Sequence, residues 1–182
     1  GSELPVVEKP GSTLAESFRS IRTSLKYFTP EDQPVVVAVT STVSGEGKTF
    51  VALNLAAIVS MLGRKTLLIG LDLRKPRIQK ILGASNAEGM STFLSGNCSY
   101  GDVIKKTDVE NLWFAAAGPV PPNPAELIER QAMSDFLEKA RKQFDFIIID
   151  TPPAAVVTDA LLLAQKADVT LFVVRQRYSS KS

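Results

Sequence analysis

Residues 35–50 read Val35-Val36-Val37-Ala38-Val39-Thr40-Ser41-Thr42-Val43-Ser44-Gly45-Glu46-Gly47-Lys48-Thr49-Phe50, and an apolar helical stretch follows without a gap. The run over residues 35–39 has no polar face, as expected of a strand buried on both sides in a parallel sheet. A glycine-rich loop between such a strand and a helix lets consecutive backbone N–H groups converge on an anion. The helix N-terminus adds its partial positive charge, so phosphate is the natural guest. Lys48 is placed to reach the β- and γ-phosphates, and the Thr49 hydroxyl to coordinate Mg²⁺. The full phosphate-loop pattern asks for glycine five residues before Gly47, where Thr42 stands, but its Gly-x-Gly-Lys-Thr end is complete. Ser44, Gly45, Glu46, Gly47, Lys48, Thr49 and Phe50 are therefore the candidate nucleotide-binding residues, with ATP or ADP and Mg²⁺ as expected ligands.

Outward from this loop, β-branched runs alternate with helical stretches. Residues 35–40, 66–71, 112–116, 146–149 and 169–174 read as strands, and helices are expected near 48–62, 76–82, 124–142 and 156–166. This rhythm predicts an α/β fold of the P-loop NTPase class, a mostly parallel sheet flanked by helices on both faces. Before the first strand, Leu14, Phe18, Ile21, Leu25 and Phe28 recur at helical spacing behind a Ser/Thr cap, and Pro30 closes the run. Residues 3–11 read as an extended lead-in, and Gly1-Ser2 as the scar of a cleaved tag. Residues 12–182 are thus expected to form one domain.

The 182 residues are 45% hydrophobic and 22% charged, with a formal charge of +2. That is enough apolar material for a sizeable core and too little positive charge for a nucleic-acid face. The single Cys98 excludes an internal disulfide, and the absence of histidine removes His-based hydrolase and zinc chemistry. The longest apolar stretch, residues 50–62, is interrupted by Asn54 and falls short of the ~20 residues of a membrane-spanning helix. Trp113 and Phe114 lie on an expected strand and read as core.

In open parallel sheets ligands sit outside the carboxyl ends of the strands, so acids there attract notice. Phe146-Ile147-Ile148-Ile149-Asp150 ends in one, and Asp72 lies just past the strand at 66–71. Both are candidate Mg²⁺ ligands beside Thr49, and both are candidate catalytic groups beside Lys48. The same residue type also serves as a helix or loop cap. Arg74, Lys75 and Arg77 form a basic cluster behind Asp72, either a solvated loop or a contact for phosphate or an acidic tail.

These segments resemble the bacterial tyrosine kinases that work with polysaccharide co-polymerases in capsule and exopolysaccharide export, P-loop proteins related to the partitioning ATPases. Glu16-Ser17-Phe18-Arg19-Ser20-Ile21-Arg22 matches the family's Glu-x-x-Arg-x-x-Arg helix, and residues 44–49 its phosphate loop. Leu71-Asp72-Leu73-Arg74-Lys75-Pro76 resembles its second acidic motif, and residues 146–153 its acidic strand end. Residues 118–127 fit a loop-to-helix segment usual in the family. The partitioning relatives carry a lysine where Val43 stands, which favours the kinase branch.

The resemblance implies an ATP-dependent tyrosine autokinase acting in trans within a ring-like homo-oligomer, with Glu16, Arg19 and Arg22 at the subunit interface. It further implies a membrane co-polymerase partner, fused or separate, a cognate tyrosine phosphatase, and a place on the cytoplasmic face of the bacterial inner membrane. Arg175, at the end of the last strand, is expected near the nucleotide base.

Two departures qualify this. The family's second motif has an acid where this chain has Gly70, leaving Asp72 and Asp150 to cover metal positioning and proton removal. The family also continues with a further helix, strand and tyrosine cluster, whereas only Tyr178 lies near the end here, so a C-terminal truncation is expected. Beside the kinase stand two other readings, a nucleotide-gated assembly module with weak or no chemistry and a partitioning-type ATPase.

Overall fold

The computed structural model describes residues 3–28, 33–155 and 158–176. In chain order these form α1 (Pro5–Glu8), α2 (Thr13–Leu25), β1 (Val35–Ser41), α3 (Lys48–Ser60), β2 (Thr66–Gly70), α4 (Ile78–Ile81), α5 (Met90–Leu94) and α6 (Tyr100–Val103). They continue through β3 (Ile104–Lys106), β4 (Leu112–Ala115), α7 (Pro124–Glu129), α8 (Gln131–Arg141), β5 (Phe146–Asp150), α9 (Asp159–Lys166) and β6 (Val169–Val173).

Six strands make one sheet in the order β3-β4-β2-β5-β1-β6, parallel throughout except where β3 meets β4. Side chains alternate between the two faces, so each strand feeds two cores. Val35, Val37, Leu68 and Ile148 join the core under α2 and α3, while Val36, Leu67, Ile69, Ile147 and Ile149 join the one under α7 and α8. By that alternation Gly70 and Asp150, which are in register, face the α3 side. Val39 pairs with Asp150 from the other side, so β5 delivers its acid between the ends of β1 and β2.

Helix α3 is buried over nearly its whole length, with the sheet beneath it and α1 and α2 above. An apolar helix without a polar face suits that place. Phe18 of α2 meets Phe50 of α3 with ring centroids 6.2 Å apart. Ser12 caps α2, its hydroxyl accepting from the Ala15 N–H at 3.2 Å. Of the apolar residues that predict this helix, Phe18 and Leu25 are buried, whereas Leu14 and Phe28 are exposed.

Several expectations change. The lead-in is not extended throughout, because Pro5 starts the short helix α1 and Val6 is fully buried. The helix expected over 124–142 is two, broken where Arg130 adopts an extended ψ of 148°. The helices expected at 76–82 and 156–166 shorten to α4 and α9, and α5, α6 and β3 are additional. Pro30 and Tyr178 lie outside the described residues. The sheet has unlike edges: β3 presents exposed Lys105 and Lys106, whereas Phe172 on β6 and Val174 just beyond it are more than half exposed.

The polar break in α3 has a structural task. Fully buried Asn54 donates to the carbonyls of Glu3 and Phe50, both at 2.9 Å, and accepts from the Val6 N–H at 3.4 Å. Asn54→Ala is expected to cost about 1–3 kcal/mol in urea unfolding, the cost of orphaning buried groups. In the same variant, residues 3–8 should lose hydrogen-exchange protection, and unchanged protection would show that Asn54 does not hold them.

Candidate functional site

The loop after β1 depends on two glycines. Gly45 and Gly47 have φ of +92° and +98°, a region that side chains with a Cβ avoid. Gly47 caps α3 with no side-chain hydrogen bond, which leaves the first N–H groups of the helix open to an anion. The loop is braced from inside, as the Ser41 hydroxyl donates to the Val43 carbonyl at 2.8 Å and the Val43 N–H donates to Glu46 Oε2 at 3.1 Å. Glu46 thus turns its buried carboxylate into the loop and offers a ligand only its backbone.

At the first turn of α3 the sequence candidates meet. Lys48 Nζ lies 3.4 Å from Asp72 Oδ2, and both side chains are about nine-tenths buried. Asp72 Oδ1 accepts from the Lys75 N–H at 3.0 Å. The Thr49 hydroxyl donates to Asp150 Oδ2 at 2.9 Å, and Asp150 Oδ1 is buried with no hydrogen-bond partner. Burial pushes the Asp150 carboxyl up to about 7, against the pull of Lys48, the Thr49 hydroxyl and Arg77, while Asp72 adds to the rise. An orphaned carboxylate oxygen beside a threonine hydroxyl is the hard-oxygen donor set that Mg²⁺ favours, so the residues fit that ion.

A cleft of about 400 Å³ opens at this phosphate loop. The loop with Lys48, Thr49 and Phe50 lines it together with Arg77, Lys80, Ile81 and Glu3, while Asp72 and Asp150 are not among its lining residues. Of the basic cluster behind Asp72, Arg77 reaches the cleft, as one of its two sequence readings allowed; Lys80 and Glu3 are cleft residues that no local pattern marks. Arg74 of the same basic cluster turns elsewhere. Its Nε and Nη2 bind Asp159 Oδ2 and Oδ1 at 2.9 and 3.1 Å, and Asp159 is fully buried. That bidentate pair raises the Arg74 pKa and ties the Asp72 loop to the start of α9. Lys75 is exposed.

Two sets of candidates lie apart from the cleft. Arg175 is exposed beyond β6 and does not line it. Glu16, Arg19 and Arg22 share α2, where Glu16 and Arg19 form an ion pair, Arg19 also donates to the Pro10 carbonyl at 2.7 Å, and Arg22 Nε is buried without a partner. Gly70 is not demanded by its surroundings. A Cβ there would make ordinary contacts, 3.4 Å from the Ala117 nitrogen and 3.6 Å from Ile78 Cδ1.

Comparison with known proteins agrees with this geometry. The family model described as AAA domain matches residues 35–181. The chain is 34% identical over 173 residues to the tyrosine-protein kinase YwqD of Bacillus subtilis, covering 95% of this chain and 73% of that one. The chain belongs to the bacterial tyrosine kinase family. It is 37% identical to the tyrosine-protein kinase Wzc of Salmonella typhi over 96% of its length, but spans only 24% of that larger protein. The crystal structure of the chimerical protein CapA2B2 superposes with a TM-score of 0.92 at 36% identity, covering 98% of this chain and 78% of that one. More distantly, the cell division ATPase MinD of Pyrococcus furiosus shares the P-loop NTPase fold, with a TM-score of 0.67 at 25% identity over 76% of this chain and 58% of its own.

The state of Asp150 in this kinase-family domain is testable. Its folded pKa of about 7 lies above the ~4 of an unfolded aspartate. Between those values the fold holds a proton that the unfolded chain has lost, so stability falls as pH rises from about 4 to 7 and levels off beyond. Asp150→Asn removes this slope. In protein free of Mg²⁺ and nucleotide, the variant should gain on the wild type in urea unfolding between pH 5 and pH 8. An equal difference at both values would contradict a neutral buried carboxyl.

Proposed function

We propose that this chain is the ATP-dependent tyrosine autokinase domain of a capsule or exopolysaccharide export system, phosphorylating tyrosines of a neighbouring copy within a ring-like oligomer. The observation that supports it is the meeting of Lys48 with Asp72 and of Thr49 with Asp150 at one phosphate loop. The names of the relatives supply the class of acceptor. In this reading the N–H groups of residues 44–49 hold the phosphates, and Lys48 exchanges Asp72 for β- and γ-phosphate oxygens. Asp72, released from its ion pair, accepts the proton of the tyrosine hydroxyl as that oxygen bonds to the γ-phosphorus and the bond to ADP breaks. Thr49 and Asp150 hold Mg²⁺, which neutralises phosphate charge when bound. The anchor is a polysaccharide co-polymerase segment, fused or separate, at the cytoplasmic face of the inner membrane, and a cognate phosphatase reverses the modification. No described helix is long and apolar enough to cross a membrane.

Gly70 weakens the chemistry in this reading, because the missing acid would stand beside Asp150. General-base assistance is worth about 10²–10⁴-fold where it operates. Radiolabelled transfer from ATP to a tyrosine-rich peptide is expected to fall by at least about ten-fold in Asp72→Asn and to rise in Gly70→Asp. Unchanged rates in Asp72→Asn would remove its role. Gly70 also favours a second reading, a nucleotide-gated assembly module with little chemistry. Nucleotide binding with neither phosphotyrosine nor free phosphate would select it, and free phosphate alone would select an ATPase.

The assembly claim rests on α2, where Arg22 Nε is buried and unpartnered. Arg19→Ala combined with Arg22→Ala should lower the oligomer mass in light scattering, and an unchanged mass would sink the interface.

A further inference from the structure

The cleft at the phosphate loop has a cationic wall beyond Lys48. Arg77, immediately before α4, and Lys80, within it, line the cleft together with Gly45, Gly47, Lys48 and Thr49. Both are exposed, and among the described residues neither side chain forms a hydrogen bond or ion pair with the protein. The neighbouring cations are already committed, Lys48 to Asp72 and Arg74 to Asp159.

The wall packs closely over the strand ends. Ile78, next to Arg77, is the side chain that a Cβ at Gly70 would meet at 3.6 Å. The charge of Arg77 is felt by Asp150 at the floor of the site. Gly70 supplies no carboxylate to this corner, so nothing at that position offsets the two cations. Unpaired cations that share a cleft with an anion-binding loop are complementary to a polyphosphate, and a guanidinium suits phosphate oxygens through its fork of donors.

We infer that Arg77, with Lys80 in the same cleft, binds the terminal phosphate of a nucleoside triphosphate held by the phosphate loop. This rests on the ATP-binding reading above and adds a residue to it. Arg77 takes the terminal phosphate because it shares the cleft with Lys48 and Thr49, the residues expected at the β- and γ-phosphate end of the site. The basic strip continues outward from Arg77 to Lys75. An acidic peptide flanking the accepting tyrosine could use the same strip, but Arg77 and Lys80 line the phosphate cleft itself, which favours the nucleotide.

Calorimetric titration of the 182-residue chain with ADP and with a non-hydrolysable ATP analogue tests this, using wild type, Arg77→Ala and Arg77→Lys. Arg77→Ala should weaken the ATP analogue about ten-fold and ADP less than about two-fold, the size expected for one charged hydrogen-bonding contact. Arg77→Lys should restore part of the loss. Because Arg77 is exposed, thermal melting of both variants should match the wild type, which separates a lost contact from a lost fold. Equal weakening of both nucleotides, or of neither, overturns the assignment. A higher KM for a tyrosine peptide in Arg77→Ala with both nucleotide affinities unchanged overturns it in favour of the acceptor. A wild type that binds neither nucleotide defeats the ATP reading itself, a result distinct from the others.

Discussion

The phosphate site is organised around the Lys48–Asp72 ion pair. It joins the first turn of the helix after β1 to the loop after β2, across the strand that ends in Asp150. A buried pair of this kind gives little net stability, since desolvating both charges offsets most of their attraction. What the pair supplies is placement. It holds the lysine amine and the carboxylate side by side next to the phosphate loop.

Around that pair the fold supplies rigidity from two directions. Below, α3 is packed between the sheet and the helices α1 and α2, so Lys48 and Thr49 project from a helix with little freedom to shift. Beside it, the bidentate Arg74–Asp159 contact fixes the loop that carries Asp72 against a carboxylate with no exposure to water. Removing Arg74 alone would leave that carboxylate buried and unpaired, which is the costly half of such a pair. Positioning matters here because phosphoryl transfer draws most of its acceleration from placement and charge neutralisation.

The parts legible in the sequence are those written in consecutive residues. The all-apolar β1, the Gly-x-Gly-Lys-Thr turn and the acid closing β5 each announce themselves locally, and together they locate the floor of the site. Pairings between distant segments do not. Arg74 and Asp159 are separated by 85 positions, and nothing near either one names the other. The three residues of β3, Ile104-Lys105-Lys106, are too few to show a period, and their antiparallel pairing with β4 is decided by the returning chain. Asn54 was visible as a polar interruption of an apolar helix, but its partners are backbone groups of a segment that looks featureless. At the C-terminal end of α2 the apolar spacing continues to Phe28, whereas the helix ends at Leu25.

The unlike edges of the sheet give the molecule a direction of growth. On the β3 side, two lysines discourage any further strand from pairing, a common safeguard against unwanted association. On the β6 side, apolar Phe172 invites company, and the invited strand would be separated from the phosphate-loop strand by β6 alone. A segment joining there, from the same polypeptide or another, would be linked through two strand pairings to the turn that holds Gly45 and Gly47. The sheet would then act as a short mechanical relay, with one end open to the surroundings and the other at the nucleotide.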